Sequence, residues 1–256
     1  MLFGIIGGSG FYDLSSDAGQ IEQLAVQTRY GKVDVEKAVL HEFEVMFIAR
    51  HGRGHGIPPH RINYRANIAA LHKLGVKNIL ASAAVGTMVE HLPPGSLALL
   101  TQFLDFTRSR DSTFYDGEDG KVVHVDVSDP YCPHLRGELQ RAADAIGETL
   151  HAEATYVCAE GPRFETPAEI RMFRQMGGDL VGMTNVPEVV LAREAGICYA
   201  TVAIVTNWAA GVSKKMVSHE EVSDFMERQT PRVRELFEHA IKDHTEASCI
   251  CRSQAI

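Results

Sequence analysis

Short apolar runs alternate along this chain with longer stretches whose apolar residues recur every three or four positions. Runs of the first kind, bounded by turn residues, suit buried strands, and the second period suits helices packed against them. Strands are therefore expected at Leu2–Ile6, Glu44–Ala49, Asn78–Ala84, Gly95–Leu100 and Leu180–Met183, and Cys198–Thr206 is the longest β-rich run. Helices are expected at Tyr64–Leu74, Leu135–Leu150, Ala168–Met176, Pro187–Ala195 and His219–Ala240. Gly75 follows the first helix as a C′ residue, Pro93-Pro94 breaks the chain before Gly95, and Pro231 is expected to kink the last helix. Strands alternating with helices predict an α/β fold with a largely buried sheet. No repeat, low-complexity tract or linker interrupts the pattern. Residues 1–245 are read as one domain and 246–256 as a C-terminal tail.

Composition narrows the classes open to such a domain. The 256 residues suffice for one large core, and 45% hydrophobic with 23% charged residues is an ordinary globular balance. A formal net charge of −8 argues against a nucleic-acid partner, which calls for a basic stripe. It leaves open a local anion pocket built from a few Arg, His and backbone N–H groups. No apolar stretch approaches the ~18 residues that span a bilayer, and MLFGIIGGSG has no basic segment before its apolar run. No membrane partner and no signal peptide are expected, and a cytoplasmic location is. The cysteines, Cys132, Cys158, Cys198, Cys249 and Cys251, are odd in number and scattered, unlike a small disulfide framework. Cys249 and Cys251 form a C-x-C pair, read as two thiols on a loose tail, with a redox-active or stabilising disulfide as the alternative. No His/Cys spacing suggests a metal site.

The candidate chemistry sits just past strand ends, where open α/β sheets bind ligands. Gly7-Gly8-Ser9-Gly10 follows the first strand. Its glycines would let backbone N–H groups approach an anion, with Ser9 adding a hydroxyl donor. The segment matches neither G-x-G-x-x-G nor the Walker pattern, which weakens a dinucleotide-dependent oxidoreductase as an alternative. Arg50-His51-Gly52-Arg53-Gly54-His55 is denser in cationic donors, and the guanidinium fork of Arg50 suits phosphate. Around Ala84 the small residues could offer backbone donors. Thr184, in Gly182–Glu188, could donate to an anion near a helix N-terminus.

Other segments suit a planar base. In Glu160–Thr166, Phe164 could stack on a base and Glu165 could accept a base N–H, while Thr166 and Pro167 also read as a helix N-cap and N1. Asn207 ends the longest β run, where an amide is unusual after so many apolar residues.

Taken together, IIGGSG, ARHGRGH, NYRAN, EGPRFET, GMTNVPEVVLAREAGICYA and IVTN resemble the trimeric purine nucleoside phosphorylase and methylthioadenosine phosphorylase family over nearly the whole chain. The resemblance implies a mixed central sheet flanked by helices and a homotrimer with active sites near subunit boundaries. It implies a phosphate site at Ser9, Arg50, His51, the backbone around Ala84, and Thr184. Met183 would underlie the ribose, Phe164, Glu165 and Asn207 would meet the base, and His124 would reach a neighbouring subunit's sugar pocket. The adenine-specific branch has a small hydroxyl residue at the position of Glu165 and aspartates at those of Asn207 and Ala209. This chain instead carries the Glu/Asn pair of the 6-oxopurine branch. His219 matches a histidine that ordinary purine nucleoside phosphorylases place near the ribose 5′-hydroxyl, where methylthio-nucleoside enzymes have an apolar residue. The implied partners are inosine or guanosine and inorganic phosphate as co-substrate, with no metal and no organic cofactor. Phosphorolysis of methylthioinosine or methylthioadenosine, and a non-catalytic nucleoside-binding protein, are the alternatives.

Overall fold

The computed structural model describes residues 2–8, 21–118, 120–214 and 216–252, with the backbone alone of His219 and Glu221. Ser9, expected at the phosphate site, lies outside the described residues, as does the side chain of His219.

In chain order the elements are β1 (Leu2–Gly7), β2 (Glu22–Thr28), β3 (Gly31–Leu40), β4 (Phe43–Ala49), α1 (Tyr64–Lys73), β5 (Asn78–Thr87), β6 (Leu97–Leu99) and β7 (Gln102–Phe106). Then come α2 (Pro133–Ile146), β8 (Leu150–His151), β9 (Thr155–Ala159), α3 (Pro167–Gln175), β10 (Leu180–Gly182), α4 (Asn185–Glu194), β11 (Cys198–Trp208) and α5 (His219–Lys242). The described strands form one mixed sheet of eleven in the order β2-β3-β4-β1-β5-β10-β9-β7, with β11 on β5, β6 on β11 and β8 on β6. This is the α/β class expected from the alternation.

Three parallel pairings set the frame. β1 lies between β4 and β5, and β5 runs parallel to β11 over nearly its whole length. The C-terminal ends of β1, β4, β5 and β11 thus open on the same side. The strands are apolar because both faces are covered. On one face a core cluster gathers Ile68 and Leu71 of α1 with Val189 and Leu191 of α4. On the other, Leu135 and Leu139 of α2 join Val233 and Leu236 of α5. A smaller cluster under α3 holds Ile170 and Phe173 against Val157 and Val181.

Element boundaries differ from the sequence pattern for local reasons. The expected helix Leu135–Leu150 stops at Ile146, because Gly147 turns left-handed at φ 70° and closes the helix through its N–H. Leu150 instead opens β8. The helix beginning at Asn185 has non-helical angles at Val186, the residue before Pro187, so its regular part starts where the pattern placed it. The expected kink residue, Pro231, sits inside α5, which continues past it to Lys242. The antiparallel hairpin β2–β3, together with β7 and β9, escaped the pattern. β2 exposes Glu22, Gln23, Ala25 and Gln27 with Val26 its one buried residue, β3 carries Lys32, Asp34, Glu36 and Lys37, and β9 is only five residues long.

The Gly147 cap is cleanly testable, because a Cβ there would meet no atom within 4 Å and only backbone conformation is at stake. Gly147→Ala is expected to cost ~1 kcal/mol and to lower Tm by about 2–4 °C in thermal unfolding.

Candidate active site

Where the parallel strands end, a cavity of ≈ 330 Å³ opens. Its floor is built around one buried cation. Arg50 follows β4, and its backbone N–H donates to Gly7 O at 3.1 Å, which draws the ends of β1 and β4 together. Its guanidinium donates through Nε (3.0 Å) and Nη2 (2.6 Å) to the two carboxylate oxygens of Glu188 in α4. Nη1 donates to Ser82 O in β5 at 2.6 Å. Both side chains of the pair are fully buried. Tyr199 of β11 donates its phenol to Glu188 Oε1 at 2.6 Å. Burial pushes that phenol far above its usual pKa, so it stays a donor.

This clamp explains one glycine. A Cβ on Gly8 would stand 3.0 Å from Arg50 Nη1 and 3.1 Å from Ser82 O. Gly8 is therefore bare so that the guanidinium can pass beside it. Three of the guanidinium's N–H groups are spent on Glu188 and Ser82. The other two make no hydrogen bond to a described residue, and the sequence expectation of a fork devoted to phosphate is narrowed accordingly.

His51 and Thr184 line the same cavity. His51 is 5% exposed, and its Nδ1 lies 2.9 Å from Ile57 O. Nδ1 donates there, so the other ring nitrogen can donate to an anion only when the ring is the doubly protonated imidazolium. Its ring also stacks at a tilt on His55, with centroids 4.4 Å apart. Thr184 is the N-cap of α4, yet its hydroxyl makes no cap hydrogen bond; its backbone N–H donates to Tyr156 Oη at 3.0 Å. Ala84 lines the cavity beside Gly86.

The other end of the cavity carries Phe164, Glu165, Met183, Asn207 and Ala209. Oε1 of Glu165 is buried and has no hydrogen-bond partner among the described residues. Burial raises its pKa, against the pull of its own backbone N–H. Asn207 is held by its neighbours. Nδ2 donates to Trp208 O at 2.9 Å and Oδ1 accepts from the Thr206 hydroxyl at 2.8 Å. The carbonyl of Trp208 fixes which end of the amide is NH2, and one N–H remains for a ligand. Thr206 is the extra residue of a β-bulge, since Val205 pairs with Val85 and Asn207 with Gly86. Phe164 is 39% exposed, so a ligand would cover it.

The loop bearing Phe164 and Glu165 is anchored at both ends. Thr166 and Glu169 form a capping box at the start of α3, so Thr166 and Pro167 occupy the N-cap and N1 positions expected of them. At the other end Arg110 donates to the carbonyls of Glu160 (2.8 Å) and Val186 (2.7 Å) and to Tyr64 Oη (3.1 Å).

The cavity thus gathers every described site residue expected from the sequence except His124, which is exposed on the 107–132 segment and does not line it. The backbone of His219 starts α5 beside Val217 and Val222, and both valines line the cavity wall. Sequence reasoning missed Glu188, Tyr199 and Ser82, which hold Arg50, and Thr206, which orients Asn207. Glu188 left a usable trace: a lone carboxylate in the apolar run VPEVVLA must find a cation.

A family model described as "Phosphorylase superfamily" matches residues 2–242. The chain is 52% identical over 254 residues to a probable 6-oxopurine nucleoside phosphorylase of Dictyoglomus turgidum, covering 99% of this chain and 96% of that protein. It is 50% identical over 255 residues to a probable S-methyl-5′-thioinosine phosphorylase of Methanopyrus kandleri, covering 99% and 96%. Among solved structures it is similar to a methylthioadenosine phosphorylase from an Antarctic soil metagenomic library, with TM-score 0.91, 37% identity, and 99% and 90% of the two chains covered.

Removing one partner of the buried pair strands the other charge. Glu188→Ala is expected to cost about 3–5 kcal/mol in urea unfolding, and a compensating Arg50→Met in the same chain is expected to recover most of that loss.

Proposed function

This chain belongs to the phosphorylase superfamily, and from that premise we propose that it is a purine nucleoside phosphorylase that cleaves 6-oxopurine nucleosides with inorganic phosphate. The products are the free purine and ribose 1-phosphate. The observation that carries the choice of base is the buried Oε1 of Glu165, unpartnered among the described residues, on a cavity that also holds the spare N–H of Asn207. A 6-oxopurine offers the matching groups, a proton on N1 and acceptors at N7 and O6. Adenine presents a bare lone pair at N1. Leaving a buried polar group unmet costs about 1–3 kcal/mol, and a carboxylate facing a lone pair costs more, so the pair discriminates strongly.

The reaction breaks the C1′–N9 bond through an oxocarbenium-like ribose. Phosphate attacks C1′ and its charge stabilises the sugar cation. The two remaining Arg50 N–H groups, His51, Thr184, Ser9 and the backbone around Ala84 hold it against one face of the ribose, and Met183 supports that sugar. Because Glu188 already neutralises Arg50, phosphate is bound by directed donors and the N-terminus of α4 more than by net charge. Negative charge accumulates on the departing purine. The Asn207 N–H to N7 or O6 strengthens as it does, so it contributes to the transition state above the ground state. The reading requires no metal and no organic cofactor in this cavity.

The homotrimer belongs to the same reading, with the exposed His124 reaching a neighbouring subunit's sugar pocket, as do a cytoplasmic location and a place in purine salvage. No described helix is long and apolar enough to cross a membrane. His219 favours a 5′-hydroxyl. Val217 and Val222 on the cavity wall favour a second reading, in which the 5′ group is methylthio and the substrate is methylthioinosine.

One phosphorolysis panel tests these readings: inosine, guanosine, adenosine, methylthioinosine and methylthioadenosine, each with and without phosphate. Phosphate-dependent release of hypoxanthine and guanine, with adenosine far slower, is expected; adenosine turned over as fast as inosine would refute the base assignment. In the same assay Asn207→Ala is expected to lower kcat by about 10²–10³-fold with little change in the KM for phosphate.

Glu165 accepts N1–H only as the carboxylate, and its pKa in the free protein is raised. The kcat/KM for inosine should therefore fall on the acid side through a pKa above the ordinary glutamate value. Glu165→Gln should lower kcat/KM and abolish that limb; the same limb persisting in the variant would remove Glu165 from base recognition.

A further inference from the structure

Behind the cavity lies a cation that does not line it. Arg110 sits on the segment between β7 and α2, and its side chain is only 1% exposed. Its Nε stands 3.6 Å from Glu160 Oε2, and the hydrogen bonds are made by the two Nη atoms. Nη2 donates to Ala159 O (3.3 Å) and Glu160 O (2.8 Å), and Nη1 donates to Val186 O (2.7 Å) and Tyr64 Oη (3.1 Å). Resting on the phosphorylase reading above, we propose that Arg110 is a positioning residue that sets the spacing between the groups holding the purine and the groups holding phosphate.

Its acceptors lead to three walls of the cavity. Ala159 ends β9, and Glu160 opens the loop that brings Pro162, Phe164 and Glu165 to the cavity. Val186 lies in the first turn of α4, between Thr184 and the Glu188 that pairs with Arg50. Tyr64 opens α1 and passes the connection on. Its phenol donates to Pro59 O at 2.9 Å, and Pro58 and Pro59 line the cavity with His51 and His55. Burial raises the pKa of that phenol, so it stays protonated and can donate to Pro59 while accepting from Arg110. One guanidinium therefore ties the purine loop, the phosphate helix and the histidine loop to one another from behind. Arg110 acts on the reaction through these walls and not by touching a ligand.

The task suits a guanidinium. Its planar fork presents N–H groups in several fixed directions, whereas an ammonium is a compact point charge that cannot span the same acceptors. The contact is also knitted from the other side. The Glu160 carboxylate accepts from the Arg108 N–H at 2.8 Å and from the Ser109 hydroxyl, so residues 108–110 and 159–160 hold each other. On the face away from the cavity, Arg110 borders a polar cleft shared with Arg61, Arg65 and Asp111. A small cation from solution can enter by that cleft if the side chain is cut back. Phosphorolysis needs the phosphate oxygen and the departing purine in line across C1′. An error in wall spacing therefore disturbs that alignment before it weakens the binding of either ligand by itself.

Steady-state kinetics of the full-length protein test this, with the nucleoside that the wild type turns over fastest. A wild type inactive on every nucleoside fails the phosphorylase reading and this inference with it; an active one isolates Arg110. Arg110→Lys keeps the charge and is expected to stay folded, to lower kcat by about 10²-fold, and to leave the Kd of inorganic phosphate alone, measured by calorimetry, unchanged. Tyr64→Phe keeps the ring and removes the hydroxyl between Arg110 and Pro59, and is expected to lower kcat in the same direction by less. Arg110→Ala is expected to lose kcat and to regain about tenfold or more of it when guanidinium is added, and not when methylammonium is added at the same ionic strength. The proposal is overturned if Arg110→Lys keeps the wild-type kcat, if its loss of kcat equals its unfolded fraction by circular dichroism, if its phosphate affinity falls as far as kcat does, or if guanidinium and methylammonium act alike on Arg110→Ala.

Discussion

The buried pair of Arg50 and Glu188 governs how the rest of this molecule is arranged. Neither charge can be left alone in an interior without a cost of several kcal/mol, so every element that touches the pair is committed to it. Glu188 holds α4 against the sheet, Ser82 and Tyr199 bring β5 and β11 to the same point, and Gly8 gives up its side chain to let the guanidinium through. With α4 pinned there, Thr184 at its N-terminus faces the cavity without having to be placed separately. Part of the cation's binding power is diverted to architecture, and the gain is a donor array that is rigid before any ligand arrives, which is the condition for orienting a nucleophile.

Base and phosphate are held by different parts of the chain. Anion donors cluster on the ends of β1, β4 and β5 and on α4, whereas the groups facing the base come from the end of β11 and from the loop before α3. That loop is no strand and has no sheet to position it. Arg110 does so by capping its carbonyls from one side while the Thr166 capping box starts α3 on the other. The carboxylate of Glu165 is thereby kept buried with Oε1 unpartnered among the described residues, an unfavourable state that a ligand with a suitably placed N–H relieves.

Much of this was legible in the sequence, and the failures have physical causes. Buried strands on both sides of the sheet appear as apolar runs, so β1, β4, β5 and β11 were readable to within a few residues. The hairpin β2–β3 was not, because β2 buries only Val26, and in β3 the alternation of Lys32-Val33-Asp34-Val35 is broken by a buried Glu36 and an exposed Val39. Within the site, Arg50, His51, Glu165 and Asn207 stood out as polar residues at strand ends or in turns. Glu188, Tyr199 and Ser82 did not, because they sit inside helices and strands and act through long-range pairing that no local pattern encodes. The cysteines show the same limit: Cys132 and Cys249 are 117 positions apart in sequence and 3.4 Å apart in space.

The β-bulge at Thr206 has a consequence for how this site can change over descent. One surplus residue re-aims Asn207 relative to its strand. The direction in which the base is read thus depends on a residue count as well as on an identity. Substitution at position 207 can retune which purine edge is met, since the phosphate-side clamp lies on other strands. Insertion or deletion within the last turns of β11 would instead swing position 207 toward the opposite face and erase base reading altogether. New nucleobase preferences are therefore open to this scaffold through point replacement, and closed to it through changes in strand length.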